Sequence, residues 1–263
     1  MPRTAKTTDF KRSDFKTPDS EYARTIPCEK LTTFTAFHWL NLAIKDVFKA
    51  PFISFFYGIC FALAAAGLEW LIYIQGSHLV ILPGLIVYML IGPFLALGLY
   101  DASWQIEKSH KPKLLHSIKA IKRNSVSQWS FAVLLCVAMI FWMRVAALLH
   151  ALYPEMQGAS LEAFLPFLAI GSIAGLIFAS LIFAMSAFSI PLMMERRVDM
   201  MTAVFTSFNA VKSNIPAMIV WASIIVIGVA FGVVTAGVGM ILTMPILGFA
   251  TWHGYRETVK RKH

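Results

Sequence analysis

The chain has 263 residues, of which 58% are hydrophobic and only 14% charged, and its formal net charge is +9. Mean hydropathy is +0.68. A water-soluble domain carries about 25% charged residues and could not keep this much apolar side chain off its surface, so lipid is the natural solvent for the excess.

The first 30 residues are polar and rich in Thr, Lys and Arg, and the first long apolar run begins at Phe52. That is too far along for a cleavable signal. Residues 1–35 read as a disordered basic cytoplasmic tail, 36–258 as a six-helix transmembrane domain, and 259–263 as a basic cytoplasmic end.

A membrane-spanning helix needs about 20 mostly apolar residues. Six stretches qualify: 52–74, 79–100, 129–149, 164–194, 215–234 and 236–252. The fourth is over-long, which predicts tilt or an extension out of the bilayer. The last two are parted only by a Gly/Ala/Thr turn around residues 235–237. Of the 23 Lys and Arg, 22 fall on one side of these spans, in the tail, in 101–128, in 195–214 and after Trp252. The positive-inside rule then places both termini in the cytoplasm.

The basic blocks between spans have their own pattern. In 113–124, Leu114, Leu115, Ile118 and Ile121 share one helical face, and Lys113, Lys119, Lys122 and Arg123 the other. In 198–214, Val204, Phe205, Phe208 and Val211 repeat the spacing, with Lys212 beside them. This predicts amphipathic helices in the interface, their cations meeting anionic headgroups. Shifted by 90 residues, Ser117, Ala120, Lys122 and Asn124 meet Ser207, Ala210, Lys212 and Asn214, and a fainter copy runs from Phe37 through Ala43, Ile44 and Lys45. Each copy precedes two spans, and each return span carries a proline, Pro93, Pro191 or Pro245. The expected fold is an all-α integral membrane protein of six transmembrane helices, arranged as three hairpin repeats, each preceded by an interfacial amphipathic helix. Chance likeness between lipid-facing helices is the competing explanation. Asn124 and Asn214 are expected to cap the spans that follow them.

Glu69 and Arg144 are the only charges well inside spans. Each lies 17 residues past a basic-side boundary, or about 25 Å at about 1.5 Å per residue. Matched depth and opposite sign predict either a structural ion pair or a shared polar pocket near the outer face. Gly171, Gly175 and Ala179, and likewise Gly228, Gly232 and Ala236, form small-residue series suited to close helix packing. Asp101, two turns beyond Pro93, is placed to meet Lys or Arg.

The seven histidines never fall at i, i+3 or i+4 within a span, and only His78 and His150 share a rim. Haem or copper needs imidazoles converging at one depth, so no metal and no cofactor are expected. Cys28, Cys60 and Cys136 form no C-x-x-C motif and read as packing residues. No phosphate-binding glycine loop, H-E-x-x-H or G-x-S-x-G occurs, so neither an enzyme nor a nucleic-acid partner is expected.

Three stretches, 39–58 (WLNLAIKDVFKAPFISFFYG), 189–199 (SIPLMMERRVD) and 247–256 (LGFATWHGYR), together resemble a bacterial family of predicted inner-membrane proteins, domain of unknown function 2189. The resemblance implies the fold and an inner-membrane location, over nearly all of the chain after the tail. It implies no activity. The putative cytochrome oxidase label carried by some members finds no haem-copper ligand set in these histidines. Two functions stay open: a non-catalytic accessory or membrane-maintenance component, and a transporter or channel for a small solute or lipid.

Overall fold

The computed structural model describes residues 25–75, 81–120, 122, 124–151 and 161–259. Its elements are α1 (Thr35–Lys49), α2 (Pro51–Gln75), α3 (Ile81–Glu107), α4 (Leu114–Ala120), α5 (Ser125–Ala151), α6 (Leu161–Ser186), α7 (Ser189–Arg196), α8 (Met200–Ser213), α9 (Ile215–Val234) and α10 (Met240–Thr258). Among the described residues there is no strand, only an isolated antiparallel bridge between Cys28 and Val259.

Local chemistry sets the boundaries. Pro51 lacks an N–H, so it closes α1 at Ala50 and opens α2, the position a helix tolerates best. Pro216 does the same for α9. Asp199 caps α8 by accepting the Thr202 N–H at 3.0 Å. The over-long fourth run is interrupted at residues 187–188, between α6 and α7, because Pro191 cannot donate to a carbonyl four residues back and its ring would clash there.

Among the described residues four stretches are long and apolar enough to cross a membrane: Pro51–Leu71, Ser125–Ala151, Leu165–Arg196 and Ile215–Val234. α3 and α10 are not among them. Residues 76–80 and the side chains of 81–91 lie outside the described residues. In α10 the last turns carry His253, Arg256 and Glu257, which leaves a short apolar stretch.

The core sits toward the Lys/Arg-rich end. Trp39 of α1, Tyr57 of α2, Trp221 of α9, and Phe249, Trp252 and Tyr255 of α10 are all fully buried. The indoles of Trp39 and Trp221 meet edge to face at 5.7 Å, a favoured aromatic geometry. α2 and α10 touch backbone to backbone at Gly58, where a Cβ would lie 2.2 Å from the Ile241 carbonyl oxygen. By contrast α5 and α6 leave most of their length open, with Val133, Val137, Ile140, Ile173, Leu176 and Ile177 exposed, as helices facing lipid should.

The short helices bury mostly small or polar residues: Ala36 and Ala43 in α1, Ser117 and Ala120 in α4, and Ala203, Thr206, Ser207 and Ala210 in α8, joined by Trp39 of α1 and Val204 of α8. The large apolar residues Phe37, Ile44, Leu115, Ile118, Phe205 and Phe208 are exposed, with Leu114 and Val211 only partly covered. α4 ends at Ala120, earlier than expected, and Ile121 and Arg123 lie outside the described residues.

The tail also differs where it is described. Ile26 N–H donates to Thr206 Oγ1 at 3.0 Å, Glu29 N–H to the Thr258 carbonyl at 2.8 Å, and Leu31 N–H to Asn214 Oδ1 at 2.7 Å. Thus 26–31 is pinned across α8, α9 and α10. Residues 1–24 and 260–263 lie outside the described set.

Candidate functional site

At the Lys/Arg-rich end of the molecule α1, α3, α4, α7 and α10 carry a collar of hydrogen-bonded polar groups. Proline-bearing α3 and α10 supply most of it. Past Pro93, α3 presents Asp101, Ser103, Gln105 and Glu107; past Pro245, α10 presents Trp252, His253, Tyr255 and Arg256.

Asp46 of α1 is buried and accepts from Ser103 Oγ at 3.0 Å, faces His253 Nε2 at 2.8 Å, and sits 3.6 Å from Lys49. Asp101 is fully buried. It meets His116 Nδ1 at 2.6 Å and Gln105 Nε2 at 2.8 Å, and the Gln105 carbonyl oxygen accepts the Lys113 N–H at 2.9 Å. The Trp104 indole lies parallel to the His116 ring at 6.0 Å. Through these contacts α4 is held to α3, helped by the Tyr57–Ser117 hydroxyl pair at 3.0 Å. Among its partners Asp101 thus has a histidine and a glutamine.

Arg256 ties the outer ring of the collar. Its Nη1 donates to Glu195 at 2.5 Å and its Nη2 to Glu107 at 2.6 Å, so one guanidinium joins α10 to α7 and α3. Tyr255 donates to Glu195 as well, Trp252 Nε1 to Glu107 at 3.3 Å, and Trp39 Nε1 to Glu257 at 2.7 Å. The Arg256 guanidinium also lies 5.8 Å from the centre of the Trp252 ring, within cation–π reach. Charge-assisted bonds of this kind are the strong ones.

Two asparagines act as clamps. Asn214 stands at the N-cap of α9 but makes no side-chain cap bond there. Its amide donates to the carbonyls of Glu29 and Ala210, both at 3.0 Å, and accepts from Leu31. Asn124 donates to the carbonyls of Met193 at 3.2 Å and Val198 at 3.0 Å. Carbonyls at helix ends and in the extended segment lack helical donors, and the amides satisfy them.

The structure does not bring Glu69 and Arg144 together. Neither makes a hydrogen bond or ion pair with the other; Glu69 is half-buried on α2 and Arg144 exposed on α5. α2 packs on α3 and α10, while α5 packs on α3 and α6. Depth along each helix sets only their height. Gly228 and Gly232 face α10, where a Cβ would lie 3.1 Å from Leu247 and 2.5 Å from Met240. Gly175 faces Trp142 of α5, whereas Gly171 faces open space. Lys113, Lys119, Lys122 and Lys212 are exposed. His78 lies outside the described residues, and His150 meets Phe167 edge to face at 6.4 Å. Cys28, Cys60 and Cys136 are free thiols. Burial pushes the Cys28 thiol up from its ordinary value.

Residues 81–195 match the model of a family described as a predicted integral membrane protein, domain of unknown function 2189. The match runs from the start of α3 to Glu195 in α7. Of the three sequence blocks that carry the resemblance, 189–199 overlaps it, and 39–58 and 247–256 lie outside. No curated protein and no solved structure matches the chain.

Proposed function

We propose that this integral membrane protein is a non-catalytic accessory or membrane-maintenance component of a bacterial inner membrane, with both termini in the cytoplasm. The observation that carries this reading is the collar. Asp46, Asp101, Glu107, Glu195, His116, His253 and Arg256 all contact groups of the same chain, so the polar groups join helices to one another. A nucleophile beside a positioned base is not among these contacts, and we take the protein not to be an enzyme.

Six crossings in three hairpins, each preceded by a helix lying on the cytoplasmic leaflet, remain our reading of the architecture. What supports the repetition is shared detail. Ala43, Ala120 and Ala210 are each buried at the corresponding position. Ser117 and Ser207 each donate to a nearby carbonyl, and Asn124 and Asn214 each clamp two carbonyls. What supports leaflet contact is the exposure of Phe37, Leu115, Phe205 and Phe208, with the exposed Lys113, Lys119, Lys122 and Lys212 available for anionic headgroups at about 1 kcal/mol each.

A second reading is movement of a small solute or lipid. It rests on a cavity of about 470 Å³ between α6 and α9, lined by Leu176, Phe183, Ile215, Met218 and Ile225, with Ser180 as a polar group midway. Two experiments separate the readings. Crosslinking followed by mild-detergent purification should give a complex of fixed stoichiometry. Pure protein in liposomes should pass neither protons nor headgroup-labelled lipid; flux of either would overturn the accessory reading. Reporter fusions after Lys111, after Met200 and at His263 should report cytoplasm, and an external signal at His263 would refute the even number of crossings.

A further inference from the structure

Gln128 lies in the first turn of α5 and is 4% exposed. Neither its amide nitrogen nor its amide oxygen has a hydrogen-bond partner. A buried amide in that condition has lost water and gained nothing in return. The residue lines a small cavity with Pro93 and Leu97 of α3, Phe131 of α5, and Ile190 and Met193 of α7. Its volume is about 10 Å³, and a site for one water needs ~10–15 Å³ on that measure.

The choice of ligand follows from size and valence. The space admits nothing much larger than one oxygen atom, and the remaining lining is apolar. The amide asks for a donor and an acceptor at once. A water molecule offers both: it accepts from Nε2–H while donating one hydrogen to Oε1, the paired arrangement open to any primary amide. Pro93, which has no N–H and so interrupts the hydrogen-bond ladder of α3, lines the same cavity, and polar groups freed at a proline inside a membrane helix are commonly satisfied by ordered water.

We propose that Gln128 holds one buried water beside Pro93, and that this water is the polar joint where α3, α5 and α7 meet. The site lies apart from the collar and is independent of whether the protein is an accessory component or a transporter. Two hydrogen bonds to the Gln128 amide fall within the two to four that buried waters make.

Millisecond X-ray hydroxyl-radical footprinting of the full chain in nanodiscs tests this. Radiolysis of an ordered water oxidises the side chains beside it. Met193 is 0% exposed and Phe131 1% exposed, so bulk solvent does not reach them. The expected result is oxidation of Met193 and Phe131 in the native protein, lost in Gln128→Met. An unoxidised Met193 and Phe131 in native protein would overturn the proposal. The unfolding midpoint of Gln128→Met gives a second readout. With a bound water the midpoint falls, because the water loses its partner. In a dry site it rises, because an unsatisfied amide has been removed. The native footprint decides even if the variant does not fold.

Discussion

Replacing Arg256 with Met should loosen the whole inner end. The change removes the guanidinium but keeps an unbranched apolar stem. Glu107 and Glu195 then lose their cation while staying mostly covered: the side chains of Arg256, Glu107 and Glu195 are 14%, 27% and 18% exposed. Breaking a buried ion pair by deleting one partner costs about 3–5 kcal/mol. Partial exposure, together with the bonds from Tyr255 to Glu195 and from Trp252 to Glu107, argues for the lower end, about 3 kcal/mol. Removing the carboxylates as well should recover most of that. In Arg256→Met with Glu107→Gln and Glu195→Gln, no stranded charge remains, and such neutral replacements of buried ion groups are often close to neutral. Trp252 lies beside the clamp, so tryptophan fluorescence during SDS titration in mixed micelles follows the loss. An Arg256→Met protein as stable as the native one would refute the clamp. So would a triple variant no better than the single one, which would mean that Arg256 acts through packing of its stem alone.

Gly58→Ala should destabilise by about 1–3 kcal/mol, the range for overpacking, because its Cβ would meet the Ile241 backbone rather than a side chain that can move. Gly171→Ala should be silent, since nothing lies within 4 Å of its Cβ; equal losses at both positions by the same titration would contradict the packing. Asp199→Ala should cost about 1 kcal/mol through loss of the α8 cap. The Thr202 hydroxyl, then the Thr202 N–H, hold the Asp199 carboxyl below its usual range. Its contribution is therefore complete above the unfolded value of about 3.9 and fades as pH falls through the lower folded value. A native-minus-variant difference that grew on acidification would refute the cap. Glu69→Gln and Arg144→Gln should add within about 0.5 kcal/mol, as for separate sites; strong coupling in the double variant would restore the ion pair that the structure does not form.

Much of the helical architecture was legible because its signals are local. The apolar runs are read from neighbouring residues alone; the helix starts at Pro51 and Pro216 and the Asp199 cap rest on signals just as local, which the sequence reading did not use. The basic blocks were correctly seen as helical, but their buried faces were not foreseen. Ser117, Ala120, Ser207 and Ala210 look inert beside Leu115 or Phe208, yet small side chains let α4 and α8 lie close to the protein while the large ones turn outward. The collar was missed for another reason. Asp46 and His253 are 207 residues apart, and Glu107 and Arg256 are separated by 149. No spacing rule within one helix pairs them. The one available hint was that two return helices with central prolines, α3 and α10, both turn polar about two turns later. Glu69 and Arg144 show the converse limit, since equal depth says nothing about which way two helices face.

The measurement closest to the central claim is a spin-label scan around α8 in lipid nanodiscs, since the account holds that the short helices are clamped to the spans on one face and wet by lipid on the other. Labels at Phe205 and Phe208 should show high collision rates with oxygen and low rates with a water-soluble nickel chelate. Labels at Ala203 and Ala210 should be shielded from both, and a label at Lys212 should meet the chelate. That alternation, with a period near 3.6 residues, is the predicted result; uniform chelate access from 203 to 212 would show α8 to be a water-exposed helix and would contradict the account.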